Sequence, residues 1–496
     1  MPSDFLTEYR LRFRELQSNL NRDRYLYASG QTERSEANHY YAEASDLFTL
    51  VALAELQKEL DAVASYRETE QAAIQLLLAE ARHEHLRLQV RDLTEEIRAY
   101  EAQASVRWEG EVLSAQDVTV FLQQQPDARQ RHELAARRAE ITKGSQDLRA
   151  ERWQKLHDAA RELGFENYLR LYSEQRGISY ETLAATMQSF LVQTESRYVS
   201  ALSGSLLRDA NVTLEEATAA DLPYFRQRAR FAQHFPAWEL KHAYRETFSG
   251  LGILTYQQAN LTLSENLRPH FLPGHFPIHV PDDIKIVYAN QDGARSYEAF
   301  FHEVGHAQQF AWTSRQLYPE FQYCGDGAVR EVFAMLFAGL LSDERWLSDM
   351  LSYQESNEFR HLLAVQRLLL LRRYAARLNY EIEFHSGQLT NRAGARYREW
   401  LTDVVRVQYD ETEHLRDIES GFVVANTLRA AAFEAQLREQ LKTKFGSRWW
   451  TSRKAGDYLI DLWNTGGRYK AEVMAKMIDL GELSFDWLAE ECLANL

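Results

Sequence analysis

Helical periodicity dominates the first two hundred residues. From Ala42 to Tyr66, apolar residues recur at intervals of three and four, as on the buried face of an amphipathic helix. A leucine-rich, heavily charged stretch from 67 to 100 continues this pattern. The sequence Gln125-Pro126-Asp127 breaks it, and helical spacing resumes over 146–163 and 167–172. We therefore predict a succession of helices over residues 1–200.

The pattern changes between about residues 250 and 291, where four prolines cluster. Residues 283–289 alternate and carry β-branched side chains, which predicts a strand in a small sheet, followed by a turn at 290–293. Helical patterning then fills the rest of the chain, ending in a helix over 480–493. These periods predict a mainly α fold that forms a single unit over 1–496. Its parts are a helical N-terminal part (1–200), a small sheet with the helices that follow it (250–341) and a helical C-terminal part (342–496).

The composition bears on three questions: whether the protein binds nucleic acid, whether it spans a membrane, and in which redox compartment it resides. The 72 acidic residues outnumber the 57 basic ones, for a net charge of −15, and such a surface disfavours nucleic acid as a partner. No apolar run reaches the length of a membrane span, and the charged N-terminus lacks the apolar core of a signal peptide. With only two cysteines, Cys324 and Cys492, a disulfide framework is excluded. We expect a protein of the reducing cytoplasm with no membrane partner.

A first group of histidines, His83 and His85, lies in the charged helical stretch. Side chains two positions apart on a helix point about 200° from each other, so this pair is poorly placed to chelate a metal. We expect these residues, with Glu84 between them, to lie on a solvated helix face.

The chemistry-bearing motif is HEVGH at residues 302–306. His302 and His306 are one helical turn apart, so both imidazoles project from one face and can bind one zinc ion. Glu303 lies about 100° round the helix, outside comfortable first-shell reach but able to act as general base on a metal-bound water. The motif follows a predicted strand and turn, and apolar neighbours such as Phe300 and Val304 would bury its other faces. This context favours a zinc site.

Zinc needs a third protein ligand, and Glu331 lies 25 residues after His306, at the start of a predicted helix over 331–341. Two helices joined by a loop, with the second supplying a carboxylate, form the gluzincin arrangement. Two alternatives remain open: Glu331 as an acid stabilised by the helix dipole, and Cys324 as a soft ligand. We predict Zn²⁺ bound by His302, His306 and Glu331.

These residues resemble the thimet oligopeptidase and oligopeptidase F family, and the related angiotensin-converting-enzyme-like peptidases. The resemblance rests on HEVGHA with Gly305 and on the step to Glu331, and its firm part covers about residues 280–341. Looser likenesses lie at 161–168 and at the junctions Ala455-Gly456 and Gly466-Gly467. The resemblance implies two helical lobes around a deep cleft, with the small β-sheet beside the zinc-site helices. It also implies that 284–293 forms a cleft-edge strand that pairs with the substrate backbone.

In this family a histidine and tyrosines on a later helix stabilise the oxyanion of the tetrahedral intermediate. Here His414 is the candidate histidine, but the tyrosine positions of the matching segment hold Phe422, Asn426 and Arg429. The resemblance and this departure make His414 and Arg429 the predicted oxyanion donors beside the general base Glu303. Other possible donors are Tyr409 and Tyr469.

The sequence thus predicts a cytoplasmic zinc metallopeptidase that cleaves short unfolded peptides. Three alternatives remain: a zinc carboxypeptidase, an amide hydrolase acting on a small non-peptide substrate, and a helical binding protein with a vestigial zinc site. The complete set of two histidines, internal glutamate and distal glutamate favours the enzyme, because a vestigial site has no reason to retain its base.

Overall fold

The computed structural model describes residues 3–266, 273–389 and 392–496, and it is mainly helical, as the sequence predicts. In chain order the helices are α1 (Asp4–Ala28), α2 (Ala37–Glu43), α3 (Leu50–Ala62), α4 (Glu68–Gln89), α5 (Arg91–Gln103), α6 (Ala115–Gln124), α7 (Ala128–Gly144), α8 (Gln146–Glu162), α9 (Tyr168–Arg176), α10 (Tyr180–Ala210), α11 (Leu222–Phe225), α12 (Ala237–Gly250), α13 (Ala294–Trp312), α14 (Pro319–Tyr323), α15 (Gly327–Ala338), α16 (Glu344–Leu351), α17 (Asn357–His385), α18 (Ala393–Val405), α19 (Val423–Phe445), α20 (Arg453–Trp463), α21 (Ala471–Met477) and α22 (Phe485–Ala494). The strands are β1 (Ser105–Trp108), β2 (Glu111–Ser114), β3 (Leu261–Glu265), β4 (Gly274–His279) and β5 (Asp283–Tyr288). None of the described helices has the length and apolar character needed to cross a bilayer.

The chain forms two compact units, each assembled from three separate segments. The first contains the chain up to His85, Ala232–Ser356 and Arg429–Ser484. The second contains Leu86–Phe231, Asn357–Leu428 and Phe485–Leu496. These boundaries differ from the consecutive parts expected from the sequence, because periodicity reports on local elements and not on which distant segments pack together.

The charged stretch after residue 67 is not solvated as expected. It forms α4 and α5, and the central part of α4 is buried. His85 is buried, and its Nδ1 lies 2.7 Å from the carbonyl oxygen of Phe48. Glu84 is buried as well. The prediction of a solvated face was wrong here, because a helix rich in charges can still bury one face when a neighbouring element supplies hydrogen-bond partners.

The sheet of the first unit has the order β3-β5-β4. β5 pairs in parallel with β3 and antiparallel with β4, so it is the middle strand. The strand predicted at 283–289 is confirmed, but its assignment as a cleft-edge strand is wrong, since both of its hydrogen-bonding edges are occupied. Its apolar residues are buried, and α13 packs against both β4 and β5. The sheet therefore lies beside the motif helix, as predicted.

Glycines permit two close backbone approaches in the first unit. A Cβ on Gly325, whose φ is +131°, would lie 2.6 Å from the Cα of Gly467, so only small residues allow the loop before α15 to contact Gly466-Gly467. Ala455-Gly456 is not a junction but lies in the first turn of α20, where Gly456 packs against the backbone of Leu251.

Candidate metal centre

Helix α13 holds the two motif histidines. It begins after Gly293, which has a φ of 112° and is the last residue of the turn that follows β5. Most aromatic and aliphatic side chains of α13 are buried, which orients the helix. The rings of His302 and His306 have centroids 4.9 Å apart and are nearly perpendicular, at 86°. The i, i+4 spacing thus brings both imidazoles together, as predicted.

Helix α15 supplies the carboxylate. Asp326 caps this helix by accepting a hydrogen bond from the backbone N–H of Ala328, so α15 begins at Gly327. Glu331 therefore lies in the second turn. The alternative of Glu331 as a first-turn acid loses its basis, because the helix-dipole effect falls off within the first turn.

The three predicted ligands converge. The Nε2 atoms of His302 and His306 lie 3.8 and 3.7 Å from the two carboxylate oxygens of Glu331. Ligand atoms bound tetrahedrally to zinc at 2.0–2.1 Å lie about 3.3–3.5 Å apart, so the arrangement fits one zinc ion with little adjustment. Within residues 3–266, 273–389 and 392–496, these three residues form the one group of metal-ligating side chains found this close together.

Close packing of α13 on α15 brings the ligands of the two helices together. Gly305, between Glu303 and His306, lies against the backbone of Phe333 and Ala334, and an added Cβ would be 2.6 Å from the Cα of Ala334. This contact explains why glycine occupies the position.

The electrostatics of the site suit a cation. Burial, with His275 and His302 nearby, holds the pKa of His306 well below its usual range, so its imidazole is neutral and able to ligate. Burial raises the pKa of Glu331, although His302 and His275 oppose the shift. A bound divalent cation would compensate the partly buried carboxylate, so the donor set fits zinc chemically as well as geometrically.

Cys324 does not join the group. The thiol is buried, and this burial raises its pKa well above the usual value, which disfavours the thiolate that a metal requires. The alternative in which Cys324 is the third ligand is therefore not supported, either by its position outside the group of His302, His306 and Glu331 or by its raised pKa.

Glu303 has a partner that sequence reasoning missed. The Nδ1 atom of His275, on β4, lies 2.7 Å from Oε2 of Glu303. The His275 ring also stacks on His306, with centroids 4.4 Å apart and an interplanar angle of 29°. His279 on the same strand instead lies beside Ser18 and Arg22. Nothing in the linear sequence distinguishes these two histidines, because strand pairing and helix packing decide which one reaches Glu303.

Arg429 is occupied elsewhere. Its Nη1 and Nη2 atoms lie 2.9 and 2.6 Å from the two oxygens of Asp326, and its Nε and Nη2 each lie 2.6 Å from an oxygen of Glu472. The side chain is 2% exposed. These bonds use the donors that an oxyanion would need, so the structure assigns Arg429 to the stabilisation of the N-cap of α15.

His414 belongs to the second unit, whereas the candidate metal ligands belong to the first. Its Nδ1 lies 2.8 Å from the carbonyl oxygen of Glu411, within its own turn. Phe422 stacks on Tyr180, with ring centroids 4.2 Å apart. Tyr409 is buried, and this burial raises its pKa to about 12. All these residues make contacts within their own unit.

No protein-family model and no curated protein matches this chain. The resemblance to the oligopeptidase family therefore stays a prediction, carried by the motif and its spacing.

Proposed function

We propose that this protein is a zinc-dependent peptidase that hydrolyses peptide bonds in short, unfolded peptides. The proposal rests on the convergence of His302, His306 and Glu331, because one ligand atom from each of them lies within 4.8 Å of the other two. Glu303, next to the first ligand, supplies a carboxylate outside this set. The substrate class follows from the resemblance, and the reducing cytoplasm is proposed because Cys324 and Cys492 are both free thiols.

Each residue then has a distinct task. Zinc, when bound, lowers the pKa of a coordinated water towards about 7 and polarises the substrate carbonyl. His302 and His306 bind as neutral imidazoles, and Glu331 adds the negative charge that keeps the cation in place. Glu303 accepts the proton of the attacking water and later delivers it to the leaving amine. Arg429 is left out of this mechanism because its donors bind Asp326 and Glu472. His414 is left out because its ring nitrogen binds its own turn.

Metal content tests the ligand set. We expect about one zinc per purified chain. Glu331→Gln should lose most of this zinc on dialysis, because an amide oxygen is a neutral and weaker ligand. A matched control is Glu162→Gln, which makes the same chemical change at an exposed position at the end of α8. Wild-type zinc content in Glu331→Gln would remove that residue from the site.

Turnover tests the base. Glu303→Gln should keep its zinc but lose about 100- to 10,000-fold of the wild-type rate on a peptide mixture followed by mass spectrometry, because an amide cannot accept the proton. The fragments also decide between alternatives, since stepwise loss of C-terminal residues would identify a carboxypeptidase. A zinc-loaded wild type that cleaves no peptide would contradict the proposal and favour the small-amide or binding alternative.

A further inference from the structure

A histidine outside the ligand set contacts the proposed general base. His275 is held on β4 opposite Ile286 of β5, and both strands pack against α13. This framework places its Nδ1 2.7 Å from Oε2 of Glu303 and its ring against that of His306. Its side chain is 25% exposed, and its ring also stacks on Phe310, with centroids 5.8 Å apart.

The contact with His275 restricts the side-chain conformations of Glu303. A glutamate side chain has three rotatable bonds, so a carboxylate that must take a proton from one fixed water gains from a hydrogen bond that holds it. When His275 carries its proton on Nδ1, it donates to Oε2 and leaves Oε1 of Glu303 available. His275 on β4 then orients Glu303 on α13, although the two residues are 28 positions apart in the chain.

We infer that His275 is a positioning residue for Glu303, acting through the Nδ1–H···Oε2 hydrogen bond and not as a metal ligand. The inference rests on the proposed function. It adds a fifth residue to the site, from an element that contains none of the ligands. Outer-shell partners of this kind typically contribute about 10- to 100-fold in activity or metal affinity.

Two substitutions separate the hydrogen bond from the packing. His275→Phe keeps a flat ring against His306 but removes the donor, whereas His275→Asn places an amide N–H close to the position of Nδ1. We expect His275→Phe to keep its zinc and its KM but to lose about 10- to 100-fold in kcat. His275→Asn should retain most of the wild-type kcat.

Three outcomes would overturn the inference. They are an unchanged kcat in His275→Phe, an equal loss in both variants, and a loss of zinc in His275→Phe that accounts for its loss of rate. The last would identify His275 as part of the metal-binding set.

A measurement on the zinc-free protein separates this inference from the proposed function. In protein with ¹⁵N-labelled histidine, a hydrogen-bonded Nδ1–H should give a slowly exchanging NMR signal that vanishes in both His275→Phe and Glu303→Ala. His39→Phe is the control, because that ring is exposed on α2. Without such a signal the hydrogen bond is refuted even if the enzyme is active. If the signal is present but the wild type cleaves no peptide, the proposed function fails and the positioning role fails with it.

Discussion

Gly305→Ala is the sharpest test of how helix packing builds the proposed metal centre. The added Cβ would lie 2.6 Å from the Cα of Ala334, which is backbone and cannot rotate away. Ordinary contact between carbon atoms needs about 3.4 Å or more, so α13 and α15 must separate locally by about 0.8 Å. Functional zinc sites hold their distances within about 0.2 Å, so this displacement is several times the tolerance.

The two effects of the substitution on stability oppose each other. Alanine improves helix propensity by about 1 kcal/mol, while overpacking costs about 1–3 kcal/mol. The net loss in the free energy of unfolding should therefore be at most about 2 kcal/mol. Zinc affinity should fall more clearly, by about tenfold or more, because α13 carries two ligands and α15 the third.

Competition with a zinc chelator measures the affinity, and urea unfolding of the metal-free protein measures the stability. Gly204→Ala is the matched control, because a Cβ there meets nothing within 4 Å inside α10. That control should be stabilised by about 0.5–1 kcal/mol and should bind zinc like the wild type. If Gly305→Ala also bound zinc like the wild type, the proposed dependence of the site on this helix contact would be refuted.

Two further predictions concern stability. Arg429→Met should lower the free energy of unfolding by about 3–5 kcal/mol, because it leaves the nearly buried Asp326 without this partner. The control Arg12→Met breaks the exposed ion pair with Asp46 and should cost at most about 1 kcal/mol. In the second unit, His157 Nε2 lies 2.9 Å from His385 Nδ1, and burial lowers the pKa of His157 to about 4. The unfolded chain, with a pKa of about 6.5, binds this proton first, so stability is complete above pH 6.5 and falls by up to about 3 kcal/mol towards pH 4.

Urea midpoints followed by circular dichroism check both predictions. Equal midpoint shifts in the two arginine variants would contradict the first. For the second, His157→Gln should flatten the loss of stability between pH 6.5 and 4, and an unchanged slope in that variant would assign the pH dependence to other groups.

The sequence alone determined the local part of this protein. Helical periods, the strand at 283–289 and the turn before the motif all follow from side-chain spacing along neighbouring residues. The pairing of His302 with His306 is equally local, since one helical turn decides it. The choice of Glu331 needed only the pattern of helix, loop and helix, and the structure brings its carboxylate to the two imidazoles.

The tertiary structure decided the rest. His275 and Glu303 are 28 residues apart and meet only because β4 and α13 pack together. Arg429 and Asp326 are separated by 103 residues, and their ion pair redirects an arginine that the sequence had suggested for the oxyanion. The middle position of β5 likewise depends on which strands pair with it. Such contacts form between segments distant in the chain, and their choice depends on burial and hydrogen-bond satisfaction over the whole unit, which no local period encodes.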